Sequence, residues 1–241
     1  ELVEKVASLP YNAYPGSEWT YSISSDLQGA IIERITGESL DAFLKRELFG
    51  PLGMRDSGFY VMPDDANRVS DVTEASDTGL TYVDEGAPDE ATQSSVFFEG
   101  GHGLFSTQSD YQKFAQFLLN EGQLGDVRLL GEETIRQFHT NALKYRGEPG
   151  RQNYTGATAG LGFGFGVATL EDRVMAELNA PDGAYFWHGA LGSWFWIDPE
   201  NHVVFVGMTQ TKSVTGYVLI QVSMNALYEP PEAVLADSAT N

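Results

Sequence analysis

The feature that most constrains this chain is a change of hydrophobic period about two-thirds of the way along it. Before residue 160 the apolar residues recur at helical spacing, as in Tyr111, Phe114, Ala115, Leu118 and Leu119. After it they alternate. Phe163, Phe165, Val167 and Thr169 share one face of a predicted strand, with Gly162, Gly164 and Gly166 on the other. Tyr185 to His188, Trp194 to Ile197 and Val203 to Met208 read as further strands, the last two joined by the turn Asp198-Pro199-Glu200-Asn201. Helices first and an antiparallel sheet last predict an α+β domain in layers.

Local signals place the earlier elements. Residues 1–9 read as a helix stopped by Pro10, and Pro15-Gly16 as a turn. A helix is expected from Asp26 to Ile35, with Leu27, Ala30, Ile31 and Ile35 on its apolar face. Ser24 or Ser25 would cap it and Gly37 would stop it. Ser39 is the expected N-cap of a helix over Leu40–Leu48. Residues 60–100 read as loops with short strands. Thr107 to Asp110 resembles a capping box, and a further helix is expected from Glu132 to Asn141. Gly147 to Gly160 reads as a polar loop, and Tyr217 to Tyr228 as a closing apolar helix.

Composition excludes several functions. With 14 Lys+Arg against 34 Asp+Glu the formal net charge is −20, which repels phosphate backbones, so nucleic-acid binding is not expected. The chain has no cysteine, which removes disulfides, thiolate nucleophiles and cysteine–zinc sites. No apolar run approaches the length of a membrane span. There is no Gly-x-Ser-x-Gly elbow, no His-Glu-x-x-His and no Walker loop. The Gly-x-Gly-x-Gly of 162–166 sits in a strand pattern, so close strand packing is its expected meaning.

Three segments carry candidate chemistry. Pro15-Gly16-Ser17-Glu18-Trp19-Thr20-Tyr21-Ser22-Ile23-Ser24 places Tyr21 at the entrance to a helix. There a phenol can be held rigidly and can pass a proton between a nucleophile and a leaving group, or it can be a core tyrosine. Gly100-Gly101-His102-Gly103-Leu104-Phe105-Ser106-Thr107 can line a cleft, with His102 as a possible base or as a structural residue. Tyr185 to Pro199 runs a strand out into small residues, where backbone N–H groups can face an oxyanion or simply form a tight turn.

Together and in this order, the three segments resemble the serine β-lactamase-like hydrolases. These comprise class C β-lactamases, penicillin-binding proteins with D-Ala-D-Ala peptidase activity, and family VIII carboxylesterases. Pro-Gly-x-x-Trp-x-Tyr-Ser carries the resemblance, with Ile35-Thr36-Gly37-Glu38-Ser39-Leu40 and Phe49-Gly50-Pro51-Leu52-Gly53-Met54 after it. So do Gly-Gly-x-Gly-Leu-x-Ser-Thr and Trp-x-Gly-Ala-x-Gly-x-Trp-Phe-Trp-x-Asp-Pro. The likeness runs from Leu2 to about Tyr228. It implies a β-lactamase/transpeptidase-like fold, an antiparallel sheet flanked by helices, and catalysis through an acyl-enzyme with no metal or organic cofactor.

The resemblance also assigns roles. Tyr21 matches the proton-shuttling tyrosine. Trp187-His188-Gly189, followed by Ala190, matches the strand that borders the site and gives an oxyanion N–H. Ser22, Ile23 and His102 are possible cleft residues. Ile23 and Trp187 replace the Asn and Lys usual in lactamases of this group, which favours a small neutral ester over a β-lactam. A β-lactamase or D-Ala-D-Ala peptidase activity, and a non-catalytic ligand-binding module on the same scaffold, remain the alternatives.

The family nucleophile is the Ser of a Ser-x-x-Lys motif, and it is not found in this chain. The lysines are Lys5, Lys45, Lys113, Lys144 and Lys212, preceded at three residues by Leu2, Ala42, Asp110, Asn141 and Thr209. The expectation is therefore that residues 1–241 form the C-terminal portion of one hydrolase domain, incomplete at the N-terminus. Ser-x-x-Lys would then lie upstream, in the same gene product or a second chain. The expected partners are that segment and a small ester or amide substrate.

Overall fold

The structure is a computed structural model, and it describes residues 2–11, 13–14, 19–84, 91–93, 97–143, 159–212 and 214–230. The predicted Pro15-Gly16 turn and nearly all of the 147–160 loop lie outside the described residues. Helix α1 (Leu2–Ala7) precedes α2 (Ser24–Thr36) and α3 (Leu40–Leu44). The latter runs through a π-helical turn (Lys45–Phe49) into the short α4 (Gly50–Leu52). A 3-10 turn (Pro63–Arg68) leads to strands β1 (Val72–Ser76) and β2 (Gly79–Asp84). Helix α5 (Gln108–Leu119), the hairpin β3 (Gln123–Leu124)–β4 (Val127–Arg128) and α6 (Glu132–Phe138) follow.

The main sheet comprises β5 (Leu161–Phe163), β6 (Ala168–Leu170), β7 (Tyr185–His188), β8 (Trp194–Asp198) and β9 (Val203–Gly207). The strands lie in chain order and every pairing is antiparallel. Strand β10 (Thr211–Lys212) leaves this sheet to pair in parallel with β1, Thr73 opposite Thr211, and α7 (Gly216–Leu227) ends the described fold.

The alternation of β7 and β8 divides two cores. Tyr185, Phe195 and Ile197 face Phe117 and Leu118 of α5 and Phe49 and Leu52 of the α3–α4 run. Phe186 and Trp196 face Ile220 and Met224 of α7. The register pairs Tyr185 with Ile197 and Phe186 with Trp196, so each face is continuous across the strands. The predicted α+β architecture is thus present, a sheet with helices on both faces.

Several local expectations need correction. Residues 163–169 are not one strand. The Gly164 N–H donates to the Val167 carbonyl (2.8 Å) and Gly166 takes φ +85°, so the chain reverses between β5 and β6. A side chain at Gly164 would overlap the Phe138 carbonyl, which explains why the turn sits there. Neither Ser24 nor Ser25 caps α2: both lie inside it, and the N-cap is Ile23 with no side-chain bond. Nor is the Leu27–Ile35 stripe its buried face. Ile31 and Ile35 are 53% and 79% exposed, whereas Asp26 and Gly29 are buried. Ser39 does cap α3, its Oγ accepting from the Ala42 N–H, and Gly37 closes α2 at φ +74°.

Thr107 accepts from the Asp110 N–H as expected (3.3 Å). The Asp110 carboxylate, however, binds the Asp56 N–H, Ser57 and Lys113, so the cap is one-sided. Helix α6 ends at Phe138 rather than Asn141, whose buried side chain instead accepts from the Phe163 N–H.

Candidate active site

Tyr21 follows Trp19 and Thr20, which lie outside any helix or strand, and stands two residues before the Ile23 N-cap. The helix it introduces is fastened at its first turn, where Asp26 Oδ1 accepts from the Gly101 N–H (2.9 Å). The Tyr21 ring is 56% exposed. Its centroid lies 5.8 Å from that of Trp187, at the end of β7, and 6.5 Å from that of Trp19. Phe163 closes the group, 4.8 Å from Trp19 and 5.4 Å from Trp187, edge-on to the indole. These separations are those of attractive aromatic pairs. Three segments far apart in sequence therefore meet in one apolar wall of four rings.

Beyond Trp187 the strand ends in a tight turn. The Gly189 N–H donates to the Ser193 carbonyl (2.7 Å) and the Gly192 N–H to the Gly189 carbonyl (3.2 Å). The Leu191 carbonyl is held by the Thr211 N–H and the Thr209 hydroxyl. Ala190 is exposed at the tip, and its backbone makes no hydrogen bond to a described residue. Of the two amides expected here, Gly189 is committed to the turn and Ala190 is available to a ligand.

The other expected residues are placed less centrally. His188 stacks beside Trp187, ring centroids 5.4 Å apart and 16° between planes, with its imidazole packed against Gly216 at the start of α7. Its Nδ1 is buried with no well-formed hydrogen bond to a described residue, and burial, only partly offset by the Gly189 backbone, holds its pKa below the usual histidine range. His102 points to solvent and pairs with Glu99 (2.9 Å). Ser22 is exposed, and Ile23 is 41% exposed while its carbonyl accepts the first N–H of α2, from Leu27. Trp19 and Phe163 were not among the expected site residues. Trp19 lies within the Tyr21 motif, but nothing local to Phe163 marks it, because only the β5–β6 reversal carries it to the indole.

The beta-lactamase family model matches residues 1–220. The lovastatin esterase of Penicillium rubens is 32% identical over 226 residues, 87% of this chain and 54% of that protein. An uncharacterized protein of Mycobacterium tuberculosis is 32% identical over 210 residues, 85% of this chain and 52% of that protein. Among solved structures, EstCE1, described as a hydrolase with promiscuous acyltransferase activity, superposes with a TM-score of 0.74. It is 26% identical, over 87% of this chain and 56% of its own. The chain spans about half the length of the curated relatives it matches. With the family model covering most of its length, the chain belongs to the beta-lactamase family of serine hydrolases.

Proposed function

We propose that these residues form the proton-shuttling and oxyanion-binding part of a serine carboxylesterase that acts on small neutral esters through an acyl-enzyme. The observation that carries the reading is the meeting of Tyr21 with Trp187 at 5.8 Å, three residues before Ala190, whose amide makes no hydrogen bond among the described residues. The nucleophilic serine and its lysine would come from a Ser-x-x-Lys segment outside these 241 residues. The lysine census and the half-length match to the relatives support that.

In this scheme the serine hydroxyl gives its proton to Tyr21 Oη while Tyr21 passes its own phenolic proton to the neutral lysine of Ser-x-x-Lys, and the serine oxygen attacks the ester carbonyl carbon. The carbonyl oxygen takes up the electron pair and is met by the Ala190 N–H. Collapse expels the alkoxide, which takes the proton back from Tyr21, and leaves an acyl-serine. Water then gives a proton to Tyr21, by the same relay to the lysine, and attacks the acyl carbon; the C–Oγ bond breaks, the serine oxygen takes the proton back from Tyr21, and the acid leaves. An uncharged wall of Trp19, Phe163 and Trp187 suits a neutral ester. Among the described residues, no cation is seen against it to hold the carboxylate of a β-lactam.

The test uses the gene product that includes the Ser-x-x-Lys segment. Treatment with a fluorophosphonate is expected to leave one adduct, on that serine, by mass spectrometry. Short p-nitrophenyl esters should turn over faster than a chromogenic cephalosporin. Absence of an adduct would leave the non-catalytic binding module as the reading. Faster cephalosporin turnover would make the protein a lactamase.

A further inference from the structure

The Gly-Gly-x-Gly loop was expected to line the cleft with His102. Its contacts point elsewhere. The Gly101 N–H donates to Asp26 Oδ1 at 2.9 Å, and Asp26 is buried, with 8% of its surface exposed. At Gly100 the loop backbone lies so close to α2 that a Cβ there would overlap the Ser25 carbonyl oxygen. Gly29, one turn further along α2, sits under the same loop: a Cβ there would be 3.7 Å from Gly100 Cα. The loop and the first turn of α2 therefore approach backbone to backbone, and the part-buried Asp26–Gly101 bond ties them across the joint.

Tyr21 has little else to hold it. Its ring is 56% exposed, and among the described residues its ring contacts are Trp19 and Trp187. The N-cap of α2 makes no side-chain bond. The helix entrance is instead fixed from within, by the Leu27 N–H on the Ile23 carbonyl (3.1 Å) and by Asp26 one turn in. A carboxylate in the first turn also suits the positive end of the helix dipole.

We infer that Asp26 is a positioning residue: by accepting the Gly101 N–H it clamps the glycine loop to the entrance of α2 and so sets Tyr21 against Trp187. His102 is then the outward-facing residue of a clamp rather than a base. The inference rests on Tyr21 being the proton shuttle only for its bearing on catalysis; the clamp itself is read by position.

The test is made by NMR on the gene product that includes the Ser-x-x-Lys segment, with no substrate added, so it can fail or succeed independently of the esterase reading. In Asp26→Ala the nuclear Overhauser contact between the Tyr21 ring and the Trp187 indole is expected to vanish. The Gly101 amide should exchange about 10-fold faster, the worth of one hydrogen bond, while β7 and β8 amides keep their protection. Asp26→Asn keeps an accepting oxygen and should keep the Tyr21–Trp187 contact. A contact that survives in Asp26→Ala, or is lost in Asp26→Asn with the sheet intact, would overturn the inference. Should Asp26→Ala fail to fold, the wild-type chain decides. Gly101 and Leu27 amides should exchange through one shared opening, and a Gly101 amide about 10-fold faster than Leu27 would overturn the clamp.

Discussion

At the scale of single residues, burial has put several titratable groups into their neutral forms. Tyr111 lies between Phe114 and Phe195 in the core beneath the sheet, and burial pushes its phenol up to about 12 from 10.0. The folded state holds the Tyr111 proton more tightly than the unfolded chain. Its contribution to stability is therefore whole below pH 10 and is lost as pH rises from 10 towards 12. Urea unfolding across that range should show a falling stability whose slope is smaller in Tyr111→Phe. An unchanged slope would mean that the hydroxyl reaches solvent. Burial acts on His188 in the opposite direction: it favours the uncharged imidazole, so that contribution is whole above 6.5 and is lost as pH falls below it. His102 shows what sequence cannot show at this scale. Its chemistry invites a catalytic role, yet its side chain is exposed and paired with Glu99, three residues back.

At the scale of elements, the sheet was legible because alternation and a strong turn signal agree. Trp194 to Ile197 and Val203 to Met208 flank Asp198-Pro199, and they form β8 and β9 nearly as read. Asp198 explains the sharp turn, since Oδ1 accepts the Glu200 and Asn201 N–H groups and Oδ2 accepts the Tyr228 hydroxyl. The Gly162–Thr169 stretch alternates equally well but folds back on itself, because its glycines press against the end of α6. Helix α2 was legible in extent but not in facing: its buried positions, Asp26 and Gly29, are chosen by a distant loop and not by hydrophobicity. The link between β8 and α7 gives a prediction. The Trp194 and Trp196 indoles both donate to Ser223 Oγ, at 3.2 and 3.0 Å, and Trp196 is fully buried. Ser223→Ala leaves both donors without that acceptor and should cost about 1–3 kcal/mol in chemical denaturation. A loss well under that would mean that water replaces the hydroxyl.

At the scale of the molecule, the two cores on either side of one sheet bring the ends of α2 and β7 together, and the wall of Trp19, Tyr21, Phe163 and Trp187 is the result. None of its spacings is visible in sequence. What was visible is the set of motifs at its corners, which is why Tyr21 and Trp187 were named in advance and Phe163 was not. The −20 charge disfavours polyanionic ligands and fits an uncharged ester. The proposed role of Tyr21 is tested most directly by pre-steady-state hydrolysis of a short p-nitrophenyl ester by the gene product carrying Ser-x-x-Lys, compared with its Tyr21→Phe variant. If Tyr21 shuttles the proton, the acylation rate falls by about 10²–10⁴-fold while fluorophosphonate still reaches the same serine, slowly. An acylation rate within a few-fold of wild type would contradict that role.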